Sequence, residues 1–158
     1  MRYVRRILQP GETIVYTTKL HWLIYIHTIL LLFICIILVG AAIATSDSQN
    51  ISLAFGIAAV ICALLALSAG LRAFIRRATT ELAVTDHRVI YKSGLLSRHT
   101  IEMNRDKVES VDVDQSLLGR IFGYGTVVVR GTGGSLEPIR NIGDPLTFRT
   151  YITASPAT

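Results

Sequence analysis

Two long apolar runs, Trp22–Ala44 and Ile51–Leu71, are separated only by the polar turn Thr45-Ser46-Asp47-Ser48-Gln49-Asn50, and neither run contains a Lys, Arg, Asp or Glu. Crossing the hydrocarbon core of a bilayer takes about 20 apolar residues in a helix, so each run is long enough. The pattern predicts a two-helix transmembrane hairpin that occupies residues 21–77 with its flanks. The composition agrees, since 51% of the 158 residues are hydrophobic. A cleaved signal peptide is the competing reading of the first run, because Ala42-Ile43-Ala44 has the small-x-small cleavage pattern. That run is much longer than a signal core of roughly 7–15 residues, and an uncleaved hairpin is the expectation.

Basic residues set the expected orientation. Arg2, Arg5, Arg6 and Lys19 precede the first run, Arg72, Arg76 and Arg77 follow the second, and the turn carries only Asp47. The positive-inside rule then places both termini in the cytoplasm and Thr45–Asn50 outside. Trp22 and Tyr25 stand where interfacial aromatic anchors belong. The net charge of +5 could signal nucleic acid. Because the basic clusters flank apolar spans, topology and anionic lipid explain them better, and no nucleic-acid partner is expected. Arg72 and Arg76 share a helix face, and with Arg77 they are candidate lipid-headgroup contacts. Each basic side chain near an anionic leaflet contributes about 1 kcal/mol.

The second run carries small residues at every fourth position: Ala54, Ala58, Cys62, Ala66 and Gly70. Such a stripe lets helix backbones approach closely. It suits packing against the first helix, which offers Gly40, Ala41 and Ala44, and it also suits docking on another membrane subunit. Cys35 and Cys62 both lie inside the runs, so they build no disulfide framework and read as small packing residues. His27, inside the first run, raises the question of a haem ligand or proton relay. The second run has no His, acid or base to partner it, so a neutral interfacial His and no cofactor are expected.

The remaining segments alternate short β-type runs with turn residues. In the N-terminal segment 1–20, the turn Gln9-Pro10-Gly11-Glu12 precedes a candidate strand Thr13–Thr18. After Ala78 the expected strands are Glu81–Thr85, Arg88–Lys92, Arg98–Asn104, Lys107–Asp114, Thr126–Arg130 and Leu136–Ile142. Pro138 marks the last as an edge. Ser116–Phe122 reads as a short helical piece, and Gly123-Tyr124-Gly125 and Gly131–Gly134 as turns. Asp144-Pro145 opens a final helix, with Asp144 as cap and Pro145 at its first position. Phe148 and Ile152 would dock that helix on the sheet, and residues 153–158 read as a tail. Residues 78–152 thus predict a small antiparallel barrel or sandwich closed by a C-terminal helix.

Three stretches carry a family resemblance. They are Thr85-Asp86-His87-Arg88-Val89-Ile90 with Ser93-Gly94-Leu95-Leu96; Lys107-Val108-Glu109-Ser110-Val111 with the distinctive Gln115–Thr126; and Asp144-Pro145 with Phe148-Arg149. The region from about Thr79 to Ile152 resembles the bacterial pleckstrin-homology-like (PH-like) domain, in the subgroup attached to an N-terminal membrane hairpin. The resemblance implies a seven-strand barrel capped by a helix. Only six strands follow the hairpin, so the missing one is expected from Glu12–Thr18, pairing across the hairpin. Relatives of the fold bind phosphoinositides or proteins. The first β-turn here, Thr85-Asp86-His87-Arg88, lacks a dense basic loop, so phosphoinositide binding is not expected.

An enzyme needs convergent polar groups. His87 and His99 have no metal-ligand spacing, and Asp112 and Asp114 alternate outward as a solvated face. The glycine-rich Gly131–Gly134 joins two strands, whereas a phosphate-cradling loop leads into a helix N-terminus. No catalytic, cofactor or metal site is expected. The expected role is a membrane-anchored interaction module, serving as scaffold or accessory subunit of a complex in the bacterial cytoplasmic membrane, with membrane lipids and other membrane subunits, or self-association, as partners. The alternative is a lipid sensor on the inner leaflet that uses Arg72, Arg76 and Arg77.

Overall fold

In chain order, the single turn α1 (Val4–Ile7) and strand β1 (Ile14–Thr18) precede a 3-10 turn at Trp22–Tyr25, helix α2 (Ile26–Ala44) and helix α3 (Gln49–Thr79). Strands β2 (Glu81–Thr85), β3 (Arg88–Ser93), β4 (His99–Asn104) and β5 (Val108–Asp114) follow. Helix α4 (Leu117–Phe122), β6 (Tyr124–Gly131), β7 (Gly134–Ser135), β8 (Ile139–Gly143) and α5 (Pro145–Thr153) complete the chain. This computed structural model describes residues 3–95, 99–132, 134–135 and 138–154, apart from the side chains of Arg5 and Ser135. Arg2, Leu96, Arg98, Gly133, Leu136 and most of the expected tail lie outside the described residues. The chain divides into two units, Trp22–Ile75 and a second formed by Met1–His21 with Arg76–Thr158.

The helical unit has an inverted surface. α2 buries none of its residues, and Phe33, Ile36, Leu64 and Leu67 are each more than half exposed. α3 starts two positions before the second apolar run and continues past its end, through Arg72, Arg76 and Arg77, to Thr79. Nothing between Leu71 and Thr79 is Gly or Pro, so no residue there stops the helix. It ends where the Thr80 hydroxyl donates to the Arg76 carbonyl at 2.7 Å. Its 31 residues span about 46 Å at the helical rise, longer than a hydrocarbon core of about 30 Å.

The other unit holds two antiparallel sheets, ordered β1-β2-β3-β4 and β5-β6-β7 with β8 on β6. β1 pairs with β2, Thr18 opposite Leu82 and Tyr16 opposite Val84, although both apolar helices lie between them in the chain. Alternating residues of the two sheets face one core: Leu82, Val84 and Val89 from the first, Val111, Val127, Val129, Ile139 and Ile142 from the second. Phe148 and Ile152 of α5 close it, and Tyr16 of β1 stacks on Tyr151 at 4.6 Å. The opposite face of the first sheet is covered as well, where Val4 of α1 packs on Ala83 and Ile90. This double cover explains why Leu82 to Thr85 are all fully buried.

Two expectations are corrected. The seven-strand closed barrel is not formed. A 3-10 turn at Arg105–Lys107 carries the chain from β4 into the second sheet, and the only pairing joining the sheets among the described residues is the isolated bridge Leu20–Ile142. Asp144 does not cap α5 with its carboxylate. It adopts a left-handed conformation, φ 50°, and opens the helix through its backbone: its N–H donates to Gly123 O and its carbonyl accepts from Phe148 N. At the far end of α5, Arg105 donates to the carbonyls of Ile152 and Ala154, a cationic cap on the negative end of the helix dipole.

Candidate functional site

Arg88 gathers the N-terminal segment onto the first sheet. Its Nε and Nη2 donate to Glu12 Oε1 and Oε2 at 2.9 and 2.8 Å, a bidentate pair. Nη1 donates to Glu102 Oε2 at 2.7 Å, and Nη2 also reaches the Ile7 carbonyl at 2.8 Å. The Glu12 side chain is 2% exposed and also accepts from Thr85 Oγ1 and Gln9 N. Burial pushes the Glu12 carboxyl up, but the bonds from Arg88, Gln9 and Thr85 outweigh it and hold the group below its usual range. Nearby, Thr13 N donates to Asp86 Oδ1, and the Asp86 carboxylate beside His87 raises the histidine's pKa. Glu81 Oε2 accepts from Tyr3 N and Val4 N at the start of α1. Arg88, the basic residue of the first β-turn, is thus held between two carboxylates. This cluster was missed in the sequence because Glu12 and Arg88 are far apart along the chain.

The other end of the same unit is where the chain leaves and re-enters. Thr18 at the end of β1 lies opposite Leu82 at the start of β2, so the chain leaves and re-enters the unit at neighbouring points. Beyond β1, Gly143 N donates to Lys19 O and His21 N to Asn141 O, and the His21 ring stacks on Tyr124 at 5.6 Å. Burial and the nearby Arg77 charge push the His21 pKa down, against the pull of Asp144. α4 sits at this end, between the last residue of β5 and the first of β6. Ser116 Oγ caps it by accepting from Gly119 N at 3.1 Å, and Gly123 closes it at φ 71°. Gln115 Nε2 donates to the Tyr124 carbonyl at 3.1 Å. A Cβ on Gly119 would lie 2.6 Å from that carbonyl oxygen. The Gln115–Thr126 motif is therefore a device that seats α4 tightly on β6 along its glycine face.

The five stripe residues on α3 separate. Cys62 and Ala66 are 6% and 1% exposed, with the Cys62 thiol donating to Leu31 O of α2 and the Cys35 thiol to Ala59 O. At Gly70 an added Cβ would come within 3.2 Å of Thr28 Cγ2. Ala58 is half-buried and Ala54 exposed. A row of every fourth residue gains about 40° per step on a helix of 3.6 residues per turn. The stripe therefore slides off the α2 seam, and Ala59 takes the place of Ala58 and Ala54. Among the arginines, Arg72 folds back along α3 to Ser68, donating to its carbonyl at 3.1 Å and its hydroxyl at 3.2 Å. Arg76 and Arg77 lie in the last turns of α3. His27 is exposed in the first turn of α2. Among the described residues no cluster of three or more His, Cys, Asp or Glu could hold a metal ion.

A family model described as Bacterial PH domain matches residues 22–155. The chain belongs to the bacterial PH domain family. The match to this PH domain protein covers most of the chain and extends well before the Thr79 boundary of the sequence resemblance, taking in both apolar helices. It leaves out β1, although β1 is the outer strand of the first sheet. No curated protein and no solved structure matches the chain.

Proposed function

We propose that this PH domain protein is a non-enzymatic, membrane-anchored interaction module, in the hairpin-bearing subgroup of its family. α2 and α3 span the bacterial cytoplasmic membrane, with both termini in the cytoplasm, and the β-sheet unit is held at the inner leaflet. There it acts as scaffold or accessory subunit of a membrane complex, or self-associates. The observation that carries this reading is the exposure of the apolar helices. A core helix of a soluble protein is mostly buried, whereas the most apolar window of the first span is 0% buried and that of the second 17%. Lipid is the solvent that makes such a surface stable. The basic residues Lys19, Arg72, Arg76 and Arg77 at the termini of the spans, against the lone Asp47 in the turn, support the orientation.

The docking face for a membrane partner is the part of the stripe that α2 leaves open, Ala54 and Ala58. Purification in mild detergent tests it. A stoichiometric membrane partner, or a second copy, is expected to accompany the wild-type protein and to be lost from Ala54→Ile. Retention of the partner by Ala54→Ile and Ala58→Ile would remove this face from the reading. Release of the intact chain by carbonate washing would remove the membrane anchor.

A further inference from the structure

α4 is built inside out. Leu117, Leu118, Ile121 and Phe122 are 80%, 58%, 74% and 48% exposed, while Gly119 faces β6 and is buried. At 100° per residue these four side chains form one apolar stripe about 140° wide, and Arg120 is exposed beside it. Leu146, in the first turn of α5, is 56% exposed, and Asp144 before it is bonded to Gly123 at the end of α4. Contiguous apolar patches on a soluble surface mark an interaction site. The framework of Ser116, Gln115, Gly119 and Gly123 holds this patch rigid, so its exposure is a property of the fold.

The position of α4 identifies its occupant. It lies at the end of the β unit from which both chain crossings depart, two residues from Tyr124, on which His21 stacks. The next residue, Trp22, begins the first apolar span. Lys19 and Arg120 are exposed at this same end, as are Asp114 and Asp144. With Arg77 beside His21 and Arg76 one residue before Arg77, the basic groups outnumber the acidic ones, a balance that suits an anionic leaflet. We infer that α4 is an interfacial membrane element: Leu117, Leu118, Ile121 and Phe122 enter the boundary between headgroups and acyl chains, and Arg120 extends to the lipid phosphates. The hairpin tethers the domain and α4 sets which side of it faces the leaflet. This inference rests on the anchored reading above, and the occupant is lipid.

The test uses the full-length protein reconstituted in vesicles of phosphatidylcholine and phosphatidylglycerol. Ile121→Trp is made in a Trp22→Phe background so that emission reports position 121 alone. The unmodified chain, with one Trp in all, reports Trp22. The lipid-side quencher is phosphatidylcholine carrying a nitroxide high on its acyl chain, and the aqueous quencher is acrylamide. The expected result is blue-shifted emission from position 121 that loses most of its intensity to the nitroxide lipid and little to acrylamide. Leu118→Trp in the same background is expected to behave alike, which guards against one misfolded variant deciding the outcome. Quenching of both positions by acrylamide alone overturns the inference, and so does shielding from both quenchers, which would mean that protein covers the stripe. If Trp22 responds to the nitroxide lipid and position 121 does not, α4 fails and the hairpin stands. If neither responds, the anchored reading itself fails.

Discussion

Arg88 donates four hydrogen bonds, two to Glu12 and one each to Glu102 and the Ile7 carbonyl, and its two carboxylate partners differ in value. The Glu12 side chain is 2% exposed and that of Glu102 is 36% exposed. Removing one member of a buried pair leaves an uncompensated charge, a loss of about 3 kcal/mol, while an exposed pair contributes below about 1 kcal/mol. Arg88→Ala is therefore expected to destabilise the β unit by about 3 kcal/mol, and Glu102→Gln by less than about 1 kcal/mol, in denaturant unfolding of the full chain in detergent. The pair also gives a pH dependence. The Glu12 carboxyl sits below its usual value of 4.5 in the folded protein, so its contribution is complete above that value and is lost as pH falls through the lower, folded-state value. Protection of the α1 and β1 amides, taken relative to the unfolded chain's exchange rate at each pH, is expected to fall only in acid below 4.5, and already at neutral pH in Glu12→Gln. Unchanged exchange in Glu12→Gln would show that the ion pair does not hold the segment.

Among the elements, α3 and α4 show how far a pattern can be read before packing decides. The every-fourth-residue row on α3 was visible in the sequence, and a helix was correctly expected there. Which members face α2 was not visible, because helical drift over that length is large and the answer depends on where α2 lies. The difference is measurable. Ala66→Ile, at a position 1% exposed, is expected to force the helices apart and cost about 1–3 kcal/mol, whereas Ala54→Ile leaves hairpin stability unchanged in thermal unfolding in detergent. In α4, Leu117, Leu118, Ile121 and Phe122 would ordinarily be taken as core by their chemistry. The side that packs is instead given by Gly119, whose lack of a side chain allows contact with the Tyr124 carbonyl. Gly119→Ala is expected to cost about 1–3 kcal/mol and to lift α4 from β6, read as loss of amide protection in residues 117–125.

For the whole molecule, the outer strand β1 belongs to the first sheet through β2, yet it precedes both apolar helices. A chain beginning at Trp22 would keep the family-matched region but lose β1, the Glu12–Arg88 pair and the Val4 cover of Ala83 and Ile90. Its β2 would present an open edge. Such a truncation is expected to remain in the membrane fraction after carbonate washing and to aggregate when extracted, seen by size exclusion. A monodisperse truncated protein would show that β1 is dispensable. The apolar length, the charge at each end and the 2-residue alternation of strands are local properties, so the sequence alone determined the two helices, most strands, the helix α5 and the family. It also suggested a partner strand before the hairpin. The open pair of sheets in place of a barrel, the Glu12–Arg88–Glu102 cluster, the seam of α3 and the outward stripe of α4 depend on which distant segments meet. Only tertiary structure decided those, because register, burial and ion pairing between residues far apart along the chain are set by packing and leave no local pattern.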